Sequence, residues 1–444
     1  MKTNMIYQQD VYTRTCSATV ENVILKDDHA EIVLDQTIFF PEGGGQPSDT
    51  GWLVLESKEN SKGKAKKRAD KEPLHIRIAE VHEKDKVAYH RTAPFDAANS
   101  CDMPGSGDQI SPEDLPQPGD TVSCMIDWDR RFLNMQRHCG EHILSGVFAD
   151  LYGGANRGFH MGESYITVDI RLENDPAFDK ITWDMCMKAE RRINEIVWSD
   201  LPVRIDHFSD PKEAAKMPLR KELTIEDEDI SIVTIGPIDD PADCVACCGT
   251  HPARTAQVGL VKIYKVEKNK DMFRIYFDCG ANALSDYDEK HRLITKIGDH
   301  YSAGLDDLEK KMAADEQKNL DMRAHLNTIS RSLAAMRAED ILKEAAEDPD
   351  RVVFRSYSDF TADDIMKIGK IAGPKLEKPA LVLAENEHTV LFFSNGSIHC
   401  GNLVRENAGI YGGKGGGSDV QARAIFPDNK NIETFVDLID KHLR

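Results

Sequence analysis

Around Asp129 the hydrophobic period of this chain changes, and that change limits the fold more than any single motif. Before it, apolar residues alternate: 17–26 (SATVENVILK), 29–35 (HAEIVLD), 75–84 (HIRIAEVHEK), 87–91 (VAYHR) and 121–128 (TVSCMIDW) send successive side chains to opposite faces. Together with the turn-rich PEGGGQPSDTG at 41–51, they predict an antiparallel sheet or small barrel over residues 1–127. After it, RRFLNMQRHCGEHILSGVFADLYG at 130–153 places Leu133, Ile143, Leu144 and Val147 at helical intervals and ends on a glycine pair, so a helix is expected.

The chain then reads as a strand (164–171), a helix around 178–199, a strand (201–208), the run SIVTIGPIDD at 231–240 and two strands within 259–280. From Leu305 a heptad series follows, with Leu305, Met312, Asn319, Leu326 and Leu333 at one position and Leu308, Asp315, Met322, Ile329 and Met336 at the other. Polar Asp315 and Asn319 interrupt it. A two-stranded coiled coil, which would make a homodimer, and a helical hairpin packed on its own chain both stay open. Beyond Pro349 the order is strand, helix, strand, strand, the glycine-rich loop GIYGGKGGG and a last helix. The expected class is α+β. It comprises an N-terminal antiparallel β-barrel-like domain (1–127), a central α+β metal-binding domain (128–295), a helical segment (296–348) and a small C-terminal α/β domain (349–444).

The formal net charge of −20 argues against indiscriminate nucleic-acid binding, because phosphate affinity needs local cations. One tract, 58–71, gathers Lys62, Lys64, Lys66, Lys67, Arg68 and Lys71; it reads as an exposed hairpin loop or as an RNA-phosphate contact. No apolar run approaches the roughly 18 to 20 residues that cross a bilayer, and the first residues lack a secretory apolar core, so a cytoplasmic protein with no membrane partner is expected. Three of ten cysteines, Cys244, Cys247 and Cys248, crowd into five residues, which fits metal binding in a reducing compartment better than disulfide stapling.

His138 and His142 stand at i and i+4 on the predicted helix, so both imidazoles share one face. A second pair, Cys247 and His251, lies within DCVACCGTH. Three His and one Cys make a tetrahedral zinc set, with Cys248, Cys244 and Cys139 competing for the thiolate position. The helix also reads H-x-x-E-H, the signature of inverted zinc peptidases, with Glu141 as general base and a distant Glu as third ligand. That alternative leaves CCGTH without a role. GGKGGG at 412–417 lacks the ending of a Walker A loop, so ATP hydrolysis is not expected.

Five segments in order resemble the alanyl-tRNA editing proteins (AlaX-like, long form), freestanding relatives of the editing domain of alanyl-tRNA synthetase that carry a C-terminal DHHA1 domain. The segments are FFPEGGGQPSDTG (39–51), IDWDRRFLNMQRHCGEHILSG (126–146), CCGTHPARTAQVGLVKI (247–263), RIYFDCGANAL (274–284) and GIYGGKGGG (409–417). Carried over residue by residue, the resemblance implies Zn2+ on His138, His142, Cys247 and His251. It further implies a trans-editing hydrolase that deacylates mischarged tRNA(Ala), in its seryl or glycyl form, with the tail contacting tRNA through Lys414, Gly415 and Gly416. Two positions depart from the family pattern: Ala256 stands where Gly is common, and His160 where synthetase domains often place Gln.

Around the metal the candidates are Glu141 as base or supporting carboxylate, Gln46 as substrate contact or loop closure, and His160, Thr167 and Thr250 as substrate-facing polar groups. Asp169 is a structural carboxylate or the group that fixes a histidine's tautomer. Zinc would either activate water or orient the substrate's 3′ end, since four protein ligands leave the ion less open than three. A zinc-stabilised RNA-binding protein without catalysis is the non-enzymatic alternative.

Overall fold

The computed structural model describes residues 2–55, 73–95, 111–223 and 230–444. They form two compact units, Met1–Leu293 and Ile294–Arg444. The basic tract at 62–71 lies outside the described residues.

The first unit opens with β1 (Asn4–Met5), β2 (Thr15–Leu25), β3 (Ala30–Leu34), β4 (Gln36–Thr37), β5 (Gly51–Leu55), β6 (Leu74–Lys84), β7 (Val87–Thr92) and β8 (Thr121–Ile126). Six of these close an antiparallel barrel in the order β2-β3-β7-β6-β5-β8, as the period-two runs predict. The inward set, including Val20, Ile32, Leu34, Leu53, Ile76, Ile78 and Val122, is buried, while the alternate residues face outward. The short strands β1 and β4 pair with each other in parallel.

The period change marks the start of α1 (Trp128–Tyr152), which ends at Gly153 in the left-handed conformation (φ 60°). Asp127 occupies its N-cap, yet makes no side-chain cap bond; its carboxylate accepts from Arg77 and Thr50 on the barrel instead. There follow β9 (Gly154–Met161), β10 (Ile166–Leu172), α2 (Trp183–Trp198), β11 (Val203–Phe208), α3 (Pro211–Ala214), β12 (Ile230–Ile235), β13 (Asp243–Ala246), β14 (Val261–Asn269), β15 (Met272–Cys279) and α4 (Gly280–Tyr301). Strands β14-β15-β10-β9 make one antiparallel sheet and β11-β12-β13 another. Ile143, Leu144, Val147 and Phe148 of α1 join a core with Ile166, Val168 and Ile170 of β10, Ile193 and Val197 of α2, and Val233 and Ile235 of β12. Each such side chain, removed from water, contributes roughly 1.5–3 kcal/mol. α1 is therefore enclosed rather than amphipathic, and polar residues on it are forced to find partners inside the protein.

The pairing of β9 with β10 slips by one residue: Asp169 faces Gly158, but Ile170 faces Asn156, so Arg157 is an unpaired extra residue.

The second unit contains α5 (Leu305–Glu347), β16 (Val353–Tyr357), α6 (Ala362–Ala372), β17 (Ala380–Ala384), β18 (Thr389–Phe393), α7 (Cys400–Asn407), β19 (Lys414–Gly417), β20 (Gln421–Ile425) and α8 (Ile432–Leu443). Its sheet runs β16-β17-β18-β20-β19. Val382 and Leu391 pack with α6 and the last turns of α5 on one face, and Leu383 and Phe392 with α7 and α8 on the other. This is a three-layer α/β/α arrangement, the terminal α/β domain the sequence predicts. The heptad series lies on the single helix α5, where Leu305, Met312, Met322, Leu326, Ile329 and Met336 are exposed. Of the glycine-rich stretch expected as a loop, the first residues form a 3-10 turn ending at Gly412 and only Lys414–Gly417 is strand β19, whose Lys414, Gly415 and Gly416 pair with Ile425, Ala424 and Arg423 at the sheet edge. Among the described residues no helix is long and apolar enough to cross a membrane.

Candidate metal centre

α1 carries His138 and His142 one turn apart, ring centroids 5.2 Å from each other. Strand alternation along β13 puts Asp243, Val245 and then Cys247 on the face toward α1, and His251 follows in the next loop. One donor atom each from His138, His142, Cys247 and His251 lies within 4.8 Å of every other. Cys247 Sγ is 3.4 Å from His138 Nε2 and 3.5 Å from His251 Nε2.

The opposite ring nitrogens face outward. His138 Nδ1–H donates to Gln46 Oε1 at 2.9 Å, and His142 Nδ1 lies 3.1 Å from Asp243 Oδ2. By hydrogen-bond geometry the buried His142 Nδ1 and His251 Nδ1 both lack a partner among the described residues, so Asp243 approaches His142 as an ion-pair contact. All four donors are therefore free on the side where they converge. A tetrahedral zinc with bonds of 2.0–2.3 Å has edges of about 3.5 Å, so the donor chemistry and spacing fit such an ion. Burial pushes the Cys247 thiol up, but His138 and His142 beside it outweigh this and hold it well below the ordinary thiol value. Burial pushes His251 down to about 4, keeping it neutral.

The rival thiols are elsewhere. Cys139 is buried in the core, Cys244 is buried with Sγ 3.5 Å from Thr234 Oγ1, and Cys248 is exposed over the Gly43–Gly44 turn. The peptidase alternative fails on geometry: the donors completing the site come from CCGTH, and the set contains no glutamate.

Glu141 is buried, not solvated. Its Oε1 accepts from Ser145 Oγ and Asn156 Nδ2, both at 2.6 Å, and its Oε2 is 4.0 Å from His142 Nε2. Gln46 closes its turn through the backbone, exchanging two hydrogen bonds with Gly43 at 2.9 and 3.1 Å, while its side chain reaches the donor cluster. Besides holding His138, its Oε1 accepts from Thr250 N–H at 3.0 Å and its Nε2 donates to Thr250 Oγ1 at 2.8 Å. Gly249 allows this packing, since a Cβ there would come 2.1 Å from His138 Cε1. Phe159 stacks on His138 (5.5 Å, 24°) and would meet a Gly45 Cβ at 2.6 Å; Gly45 has φ +81°, so the turn needs glycine on both counts.

His160 and Thr167 are register partners on β9 and β10. They occupy the face opposite Phe159 and Val168, and His160 is exposed, so neither joins the centre. Asp169 binds Arg274 (2.8 and 2.7 Å) and Asn269, away from every histidine. The tautomer-fixing partner is Gln46, on His138, while Asp243 sets a negative charge 3.1 Å from His142 Nδ1. Ala256 lies in a short 3-10 turn, Thr255–Val258, without positive φ, so its methyl group is tolerated. Sequence reasoning missed Asp243, Asn156, Ser145 and Arg220; the available signal was period-two placement of Asp243 with Cys247.

The centre opens into a cavity of about 1550 Å³ whose lining also includes Met5, Tyr7, Gly44 and Lys86, from β1 and the connections between strands β1 to β7, together with Asn156, His207, Arg220 and Thr250.

Residues 230–276 match the family model of the threonyl and alanyl tRNA synthetase second additional domain, and residues 350–444 match the DHHA1 domain. The chain thus joins a region of the synthetase second-additional-domain type, beside a four-donor cluster able to hold a metal ion, to a DHHA1 domain. It is homologous to the alanyl-tRNA editing protein AlaX-L of Pyrococcus horikoshii, at 29% identity over 94% of this chain and 93% of that protein. It is also similar to the alanine–tRNA ligases of Pyrobaculum calidifontis (28% identity, 96% of this chain) and Pyrococcus abyssi (24%, 100% of this chain). It spans less than half of those ligases, 42% and 44% of their lengths. Homology and the four-donor cluster together support an editing hydrolase role.

Proposed function

We propose that this chain is a zinc-dependent trans-editing hydrolase acting on tRNA(Ala) wrongly charged with serine or glycine. The observation that carries the reading is the convergence of three imidazoles and the Cys247 sulfur at one end of a cavity large enough for an aminoacylated nucleotide, in a homologue of AlaX-L. Hydrolysis adds water across the ester, freeing the amino acid and returning the terminal ribose hydroxyl. Bound zinc would supply Lewis-acid polarisation and a lowered water pKa. Glu141, with one oxygen held by Ser145 and Asn156, keeps the other beside His142 as a fixed proton acceptor. Gln46 and Thr250 lock His138 in the tautomer that turns Nε2 inward. With His160 and Thr167 turned away, Asn156 and Thr250 are among the cavity's polar groups beside the donor cluster that could meet a serine hydroxyl. A synthetase pocket for alanine cannot exclude glycine by size, which is why a second sieve is needed.

Single-turnover deacylation of seryl-, glycyl- and alanyl-tRNA(Ala) tests this. Faster release of serine or glycine than of alanine is expected; equal rates for seryl and alanyl forms would defeat the specificity, and no release from any would favour a zinc-stabilised RNA-binding protein. Zinc analysis of the combined Cys247→Ala, His251→Ala variant tests the metal, with full retention counting against it.

A further inference from the structure

Behind His142 stands a buried chain of charges that the hydrolytic chemistry does not use. Asp243 has no exposed side-chain surface, and its Oδ2 lies 3.1 Å from His142 Nδ1. On its other side Arg220 Nε donates to Oδ1 at 2.5 Å and Nη2 donates to Oδ2 at 3.3 Å. Arg220 is itself only 15% exposed, and its backbone N–H is tied to Cys244 O at 2.8 Å, so the guanidinium is fixed from both ends.

We infer that Arg220 is a positioning residue for the metal centre, acting through Asp243 on His142. Charge accounting motivates the assignment. With a divalent ion on three neutral imidazoles and the Cys247 thiolate, the ligand set carries +1. Glu141, 4.0 Å from His142 Nε2, and Asp243 bring the total to −1. Arg220 returns it to zero. Without such a partner the buried carboxylate rotates toward another donor and leaves its place beside His142 Nδ1. The bidentate fork also sets the carboxylate plane, which an ammonium cannot do as well. Ligand orientation by such a partner is worth roughly 10- to 100-fold in metal affinity.

The inference rests on the four donors holding zinc, and the experiment separates the two. Zinc affinity is measured on the full chain by competition with a chromophoric chelator, and the Co2+ absorption spectrum is recorded. The proteins are wild type, Arg220→Met, Arg220→Lys, Asp243→Asn, which keeps the side-chain shape, and the double variant Arg220→Met, Asp243→Asn. Arg220→Met and Asp243→Asn are each expected to weaken zinc roughly 10- to 100-fold and to shift the Co2+ bands, with Arg220→Lys recovering part of the loss. The double variant is expected to bind as Asp243→Asn does alone, because the arginine's effect passes through the aspartate. Full additivity of the two single losses, or an Arg220→Met protein with wild-type affinity and spectrum, overturns the inference. A wild-type protein that takes up no zinc overturns the metal reading beneath it.

Discussion

Arg131 of α1 and Asp49 of the loop leading into β5 form an ion pair in which neither side chain retains exposed surface. Arg131 Nε lies 3.0 and 2.8 Å from the two carboxylate oxygens, and the remaining nitrogens donate to Val11 O and Ile38 O. Every nitrogen of the buried cation thus has an acceptor, which is the condition under which such a pair is tolerated. Asp49→Ala would strand the guanidinium. The expected loss is about 3–5 kcal/mol of unfolding free energy, read from denaturant midpoints; a loss below about 1 kcal/mol would show that the pair does not anchor α1.

Gly249→Ala probes the ligand packing directly. The added carbon would sit 2.1 Å from His138 Cε1 and 3.0 Å from Gln46 Oε1, so the imidazole must move off its hydrogen bond. Zinc affinity should fall roughly 10- to 100-fold. An alanine variant with unchanged affinity would mean the loop yields instead.

His90 sets a pH dependence in the barrel. It is fully buried, with Nδ1–H donating to Ile32 O at 2.9 Å and Nε2 accepting from Thr37 Oγ1 at 2.7 Å, and burial pushes it down to about 4 from 6.5. The unfolded chain binds this proton below pH 6.5 and the folded chain only near 4. The contribution is therefore complete above 6.5 and lost as pH falls toward 4, by up to about 3 kcal/mol. Unfolding measured across this window should show the slope in wild type and lose most of it in His90→Asn; an unchanged slope assigns it to other groups.

Removal of the tail should weaken tRNA binding without emptying the metal site. A cut near residue 350 would leave Ala334, Ala338 and Ile341 of α5 without the core they pack in, so the informative truncation ends at Tyr301. It should raise KM for mischarged tRNA roughly tenfold or more, as expected when one of two linked contacts is lost, while zinc content and hydrolysis at high substrate persist. An unchanged KM counts decisively against a tRNA-binding role for the second unit.

The barrel and α1 were legible because their apolar periods are long and uninterrupted, and the His138–His142 spacing needs only helix geometry to be interpreted. Asp243 was legible in principle, two alternations before Cys247, but a lone carboxylate on a strand has no signature until its partner is known. The misplacement of His160 came from a different source. Family position located it near the substrate, whereas its side chain follows strand parity, and parity past Asn156 depends on a slip no composition reveals. Glycine-rich sequence is weak in strand propensity, so Lys414–Gly417 reads as a loop; there the sheet edge, not local preference, decides.

That slip makes the centre a matter of odd and even numbers. Asn156 and Phe159 are three apart, which in a regular strand would send them to opposite faces, yet one holds Glu141 and the other stacks on His138. The uncounted Arg157 is what reconciles them. Deleting that single residue would remove none of the four donors, and it would still force a choice between supporting the carboxylate and covering the imidazole. Evolution of this strand by substitution is free to change what the side chains are; change in its length is not free, because the strand can lose or gain residues here only in pairs.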